Sequence, residues 1–444
     1  MSTVSSPTAP PAAPARHHGV APGEIAIGVI IGRVSEFFDF FVFGLASVLV
    51  FPKLFFPFAA PLQATLYSFA LFSLAFVARP IGSLLFKYIH VWYGRGTKLT
   101  VALFLLGTST AGIAFLPGYG ELGETAIVLL ALLRIGQGLG QAGSWDGLPS
   151  LLALNAPRAK RGWYAMIPQL GAPLGFALAA GLFTLLTMSL GEIDFLDWGW
   201  RYPFYVAFAI NVVALFSRLR LVMTPEFSEL LSTRQLQPSP LRELMREQGS
   251  NVLIGSLAPL ASYALFHLVT IFPLSWATLF ARQELSGILI VQLIGAGLAV
   301  LSMMASGKIA DRIGRRPTLA IGGILIAIFS GNVPLMLNGN VLGGYVFILL
   351  GFVLLGFSHA QAAGAVNSAF EARYRYTGAI LVSDMGWLFG AGFAPLVALL
   401  LAAELGMGYV GLYLSSGAIG TLAALGINRS LEMRDDESGP NAPD

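Results

Sequence analysis

The chain contains no cysteine, which excludes disulfides, zinc thiolates and cysteine nucleophiles together. Charge is scarce as well: Asp, Glu, Lys and Arg make up 11% of the 444 residues, against about a quarter in ordinary soluble domains. The net charge of +3 comes from loop cations and points to no nucleic-acid partner. Walker A, HExxH, paired-aspartate and GxSxG patterns are missing from the apolar segments, which removes ATP-driven pumping, zinc hydrolysis and serine acyl transfer. No enzyme activity, cofactor or metal site is expected. What remains is apolar: 56% of the chain, with a mean hydropathy of +0.74. That composition belongs to a protein whose solvent is a lipid bilayer.

Residues 1–24 are rich in Ser, Thr, Pro and Ala and lack the apolar core of a secretory signal, so they read as a disordered cytoplasmic tail. Twelve spans follow, a number that 444 residues can hold at roughly 20–25 residues each. The first six are expected at 25–51, 62–89, 98–117, 123–148, 163–188 and 199–221. Residues 222–250 carry Pro225, Pro238, Pro240 and dense charge; they read as a cytoplasmic linker with one or two short amphipathic helices, such as Pro240 to Gln248. The last six spans are expected at 251–281, 286–310, 317–337, 342–369, 377–402 and 406–427, before a polar tail at 428–444.

Cation placement orients the chain. With the N-terminus inside, only Lys53, Arg201 and Arg282 fall outside, and Arg33, Arg79 and Arg134 lie in or near spans. All the other Lys and Arg residues fall on the inside. Both termini are therefore expected in the cytoplasm.

One stretch occurs twice. Gly307-Lys-Ile-Ala-Asp311-Arg312-Ile-Gly314-Arg315-Arg316 is a charged connection between two spans, and Gly94-Arg95 stands 220 positions before Gly314-Arg315. Gly136 matches Gly356 and Gln141 matches Gln361 at the same offset. The expected fold is all-α integral membrane, with twelve transmembrane helices in two six-helix pseudo-symmetric halves, residues 25–221 and 251–427. Parallel repeats of this kind place a solute site at their interface near the midplane.

The first span carries Arg33, Glu36 and Asp39, roughly 12–21 Å along the helix from Ile25 and so within the hydrocarbon. Ionisable groups there are costly and usually face a cavity or a partner. Arg33 and Glu36, three apart, can form a static ion pair; alternatively a carboxylate here takes up and releases protons. In the fourth span Arg134, Gln141 and Trp145 fall within about 20° of one face, with Gln137 about 60° away. A guanidinium, two amides and an indole facing a cavity suit a small carboxylate-bearing solute. The Gly138–Gly143 match to GxGxxG follows no strand and is read as small residues for close helix approach. Further candidates for the site are His267, Trp276, His359 and Asn367, each histidine being either packed or a proton relay. Asp384 lies near the inner end of its span, as a gate residue or one reaching interfacial water.

Together these residues resemble the major facilitator superfamily. Gly307-xxx-Asp311-Arg312-x-Gly314-Arg315-Arg316 is similar to its loop signature between helices 8 and 9, and Arg134-xx-Gln137-Gly138-x-Gly140 to its helix 4 signature. Within it the chain resembles the metabolite:proton symporters, carriers of proline/betaine, 2-oxoglutarate, citrate and shikimate. Glu36-Phe-Phe-Asp39-Phe, Ala78-Arg-Pro-Ile-Gly82, Pro168-Gln-Leu-Gly171, Trp198-Gly-Trp-Arg-Tyr-Pro-Phe204 and Arg375-Tyr-Thr-Gly378 carry that resemblance. There are departures. Val91 and Trp92 stand where an Asp-Arg pair is usual, Ser144 replaces an acid with Asp146 two positions on, and Asn155 replaces another.

The resemblance implies alternating access in a bacterial inner membrane by a monomer that moves a small solute, with protons as the coupled partner. On that reading Glu36, Asp39 and Asp146 are proton-coupling candidates. Arg33, Arg134, Gln137, Gln141 and Trp145 are expected to bind solute, with His267, Trp276, His359 and Asn367. Gly307, Asp311, Arg312, Gly314, Arg315, Arg316, Arg95 and Asp384 are expected to gate. The substituted acids leave an exporter, a facilitator or a transporter-like sensor as alternatives.

Overall fold

Hydrocarbon offers the backbone no hydrogen-bond partner, so a spanning segment must satisfy its own amides, and a helix does so. The computed structural model describes residues 22–144, 156–222, 238–281, 284–338, 340–362 and 373–427, with positions 149, 152, 370 and 371 besides. Among these there is no strand. Eight stretches are long and apolar enough to cross a membrane. One of them, Pro61–Phe115, has 55 residues and a single non-helical position, Gly94. It therefore holds two spans, and three further helices complete twelve.

These are α1 (Pro22–Leu49), α2 (61–93), α3 (95–115), α4 (Glu124–Gly143), α5 (Arg161–Ser189) and α6 (Tyr202–Val222), then α7 (Leu241–Ala281), α8 (Leu285–Ile313), α9 (Arg315–Gly331, with a further turn at Val333–Leu337), α10 (Val341–Ala362), α11 (Arg375–Glu404) and α12 (Met407–Ile427). The fold is all-helical, of twelve transmembrane helices. Residues 1–21, 223–237 and 428–444, which take in most of both expected tails and of the linker, lie outside the described residues.

The two connections that marked the repeat are shorter than a loop. Residues 307–313 belong to α8 and Arg315–Arg316 already start α9, so Gly314 alone separates the helices. Gly94 does the same between α2 and α3, which makes Val91 and Trp92 exposed helical residues. Both glycines sit at positive φ, 84° at Gly94 and 91° at Gly314, a conformation a Cβ penalises. A one-residue reversal demands glycine at that position, and this is the physical content of the 220-residue offset. Within α4 and α10 the offset shifts. A Cβ on Gly138 would lie 2.4 Å from the Ala75 carbonyl oxygen in α2, and one on Gly356 lies 2.4 Å from that of Ala299 in α8. Gly138, not Gly136, is the counterpart of Gly356.

The linker helix starts at Leu241 and runs into the seventh span with one interruption, at Gln248 (φ −127°). Its Glu247 accepts from Tyr374, and Gln248 donates to Glu371 at 2.9 Å. Glu243 pairs with Arg373. Ser239 spans the two halves: its N–H donates to Thr377 of α11 at 2.8 Å, and its carbonyl accepts Lys87 of α2 at 2.6 Å.

Two seams join the halves, α5 with α8 and α2 with α11. Aromatic rings also pack across the halves. Phe41 of α1 stacks on Phe266 of α7 with centroids 5.4 Å apart, and Phe176 of α5 meets Phe352 of α10 at 5.5 Å. In α11 the turn Leu388–Gly392 widens to a π-helix, a distortion common at functional positions. It presents the Gly392 carbonyl to Ser73 of α2 at 2.8 Å.

Candidate functional site

A cavity of about 390 Å³, its open mouth included, lies between α1, α2, α4 and α11. Arg33, Glu36, Arg79 and Gln141 form one side; Phe37, Phe40, Phe76 and Trp387 form an aromatic wall. A smaller extension adds Ala142, Ile380, Ser383 and Asp384.

Glu36 sits between two arginines. Arg33 Nη1 donates to its Oε2 at 2.8 Å and Arg218 Nη2 to its Oε1 at 2.9 Å, while Ser144 Oγ donates at 3.0 Å. Ser144, one of the positions without the usual acid, thus serves the acid of α1. Arg218, near the end of α6, is one of the cations that the charge pattern puts on the inside, yet its side chain turns inward. Across the cavity Arg79 Nε donates to Asp384 Oδ1 at 3.2 Å, and Ser83 Oγ to Oδ2 at 2.5 Å. The wall and its described ion pairs therefore hold three guanidiniums and two carboxylates.

Asp39 belongs to a different, fully buried network inside the first six helices. Its Oδ1 accepts from Thr110 Oγ1 at 2.5 Å and from Asn211 Nδ2 at 3.3 Å; its Oδ2 accepts from Gln137 Nε2 at 3.4 Å. Ser35 Oγ in turn donates to Asn211 Oδ1 at 2.9 Å. Arg134 Nη1 donates to Gln137 Oε1 at 3.0 Å and its Nε to the Phe72 carbonyl at 3.2 Å.

Arg134, expected to face the solute, does not line the cavity. Its side chain is fully buried, with the Phe43 ring centroid 3.9 Å and the Phe72 centroid 5.0 Å from its Cζ. Phe40, 5.7 Å away, stands between it and the cavity. A helical wheel fixes which face Arg134 occupies but not which neighbour covers that face. Gln141 and Arg33 do reach the cavity; Gln137 joins Asp39 instead.

His267 packs among Phe40, Phe41, Phe72 and Phe76 of the first half, with centroids 5.2–6.5 Å away. His359 packs against Tyr263, Phe266 and Trp387. Neither lines the cavity, and Trp276 stacks on Phe280 at 4.4 Å away from it. Trp145, Asp146, Asn155 and Asn367 lie outside the described residues.

Of the expected gating set, Asp311 Oδ1 accepts the Trp163 N–H at the start of α5 at 3.1 Å, linking the halves at a helix N-terminus. Gly307 packs on Trp163 and Met166 of the same helix. Arg316 caps α12 through the Leu425 carbonyl at 2.6 Å, and Arg312 is exposed. Arg95 and Arg315 flank the two positive-φ glycines. Asp384, expected as a gate or at interfacial water, is 3% exposed and bonded to α2. The residues missed are Arg79, Arg218, Ser83, Thr110, Asn211 and Trp387. Arg79 alone had a signal, as a third arginine inside the spans.

A multi-pass helical bundle with ion-paired residues around a central cavity is the build of a membrane carrier. The family model for the Major Facilitator Superfamily matches residues 29–383, and the chain belongs to that superfamily. It is 38% identical over 412 residues to the inner membrane metabolite transport protein YhjE of Escherichia coli (strain K12), covering 90% of this chain and 93% of that protein. It is 30% identical to the shikimate transporter of the same strain, covering 84% and 86%, and 29% identical to its proline/betaine transporter, covering 83% and 75%. The crystal structure of a D-xylose-proton symporter shares the fold, with a TM-score of 0.68 at 19% identity, covering 92% of this chain and 97% of that one. The chain is a membrane transporter of this superfamily.

Proposed function

We propose that the protein imports a small carboxylate or zwitterion across the bacterial inner membrane together with a proton. Residues 25–221 and 251–427 rock about the cavity, and both termini face the cytoplasm. One observation carries the solute class. Arg33 Nε and Gln141 Nε2, both on cavity-lining side chains, are buried without a hydrogen-bond partner among the described residues. A buried donor left unmade is costly, and a solute carboxylate supplies the acceptor. The similarity to shikimate and proline/betaine carriers points the same way. Replacing Gln141 with leucine is expected to raise the apparent KM about tenfold, the loss of one hydrogen bond to a charged group at about 1.5 kcal/mol. An unchanged KM removes Gln141 from the site.

Asp39 is the better proton carrier of the two first-span acids. Glu36 is committed to two guanidiniums, whereas Asp39 is hydrogen-bonded to neutral groups, the Gln137 and Asn211 amides and the Thr110 hydroxyl, and that hydroxyl can turn to accept from a protonated carboxyl. Solutes come from a thermal-shift screen of organic acids, betaines and aromatic acids; proteoliposomes with an imposed pH gradient then test coupling. Wild-type accumulation is expected to follow the gradient. Asp39→Asn, locked in the neutral form, is expected to keep counterflow and lose gradient-driven accumulation. Accumulation in the variant that still tracks the gradient rules Asp39 out, and wild-type uptake indifferent to it rules out symport.

A further inference from the structure

The ion pairs around the cavity differ in what happens to them when the halves move. Arg33, Glu36 and Arg218 all belong to α1 and α6, so their contacts travel together. Arg79 and Ser83, one turn apart on α2, hold Asp384 of α11. Those bonds cross the seam and must break whenever α2 and α11 part.

Asp384 also stands beside the solute site. Arg79 lines the main cavity with Arg33 and Gln141, and Asp384 lines its extension together with the same three residues. Both members of the pair are largely buried, with side chains 18% and 3% exposed. A buried ion pair separated with nothing in its place leaves an uncompensated charge, so Arg79 needs another anion before the seam opens.

Resting on the proposed solute class, we infer that Asp384 is the protein's own stand-in for the solute carboxylate. It occupies Arg79 in the empty carrier, and an incoming carboxylate takes Arg79 from it and releases the seam. Asp384 then determines specificity: a neutral analogue of the same shape cannot displace it. Ser83 sets the strength of the hold.

Because the chain has no cysteine, a single Ile380→Cys in the cavity extension reports seam opening through its rate of labelling by a water-soluble maleimide. In this background Asp384→Asn and Arg79→Gln are both expected to label about tenfold faster than the parent without solute. Ser83→Ala keeps both charges, guards against misfolding, and is expected to fall between. Binding then separates the two partners. The probes are acetate, lactate and benzoate against their amides, read by thermal stabilisation. Carboxylates should stabilise Asp384→Asn at lower concentration than wild type, Arg79→Gln not at all, and the amides should act on none of the three proteins.

A pair that is merely structural weakens binding in the same direction in both variants, and that result overturns the exchange. Unchanged labelling with carboxylate binding intact also overturns it, while the proposed solute class stands. Wild type indifferent to every carboxylate overturns the solute class and the exchange together; fast labelling of the variants would then assign the pair to seam closure alone.

Discussion

Glu36→Gln is expected to lower the melting temperature of the detergent-solubilised protein sharply and to abolish uptake. Arg33 and Arg218 approach Glu36 at 2.8 and 2.9 Å from two different helices, and its side chain is 16% exposed. An amide in that place still accepts hydrogen bonds but leaves two guanidiniums facing each other without their counter-charge. Removing one member of a buried ionic cluster costs about 3–5 kcal/mol. Glu36→Asp keeps the charge and should recover part of the loss. If Glu36→Gln melts with the wild type, the two arginines are held by something else and the cluster is not a structural centre.

The second large effect concerns packing. At Gly138 a Cβ would stand 2.4 Å from the Ala75 carbonyl oxygen and 2.7 Å from its Cα. Both are backbone atoms of α2, so no side chain can swing aside and α4 itself must move. Overpacking a core that can relax costs about 1–3 kcal/mol. Here Gly138→Val is expected to exceed that and leave no folded protein in the membrane, judged by the monodisperse peak on size-exclusion chromatography. Gly344→Val is the control, since nothing lies within 4 Å of its Cβ position. Equal yields of the two variants would show that the α2–α4 contact can spread at little cost.

The contrast between these sites explains how much could be read in advance. Spans are legible because hydrocarbon imposes a length and forbids unpaired backbone, and both demands are written locally along the chain. Gly94 and Gly314 are legible for the same reason: a one-residue reversal needs positive φ. Partners across long separations are another matter. Asp384 meets Arg79 across 305 positions and Arg218 meets Glu36 across 182, and nothing in the local pattern of either arginine names its carboxylate. Arg134 shows the converse. The helical period gives its angular position, but Phe40, Phe43 and Phe72 arrive from two other helices to enclose it, and only their packing decides that it faces rings and not the cavity. The connections are shorter than the charge pattern predicts. In an interfacial layer charged side chains reach water from helix ends, so α2 runs to residue 93 and α8 to Ile313.

His267 has a use as a spectroscopic reporter. It is one of five histidines in the chain, and four phenylalanines of the opposite half surround its imidazole. Ring currents from those faces displace its carbon-bound proton resonances from their free positions. With the rocking of the two halves proposed above, the imidazole is expected to leave the rings and its resonances to return toward their free positions, so an NMR signal would follow the docking of the two halves.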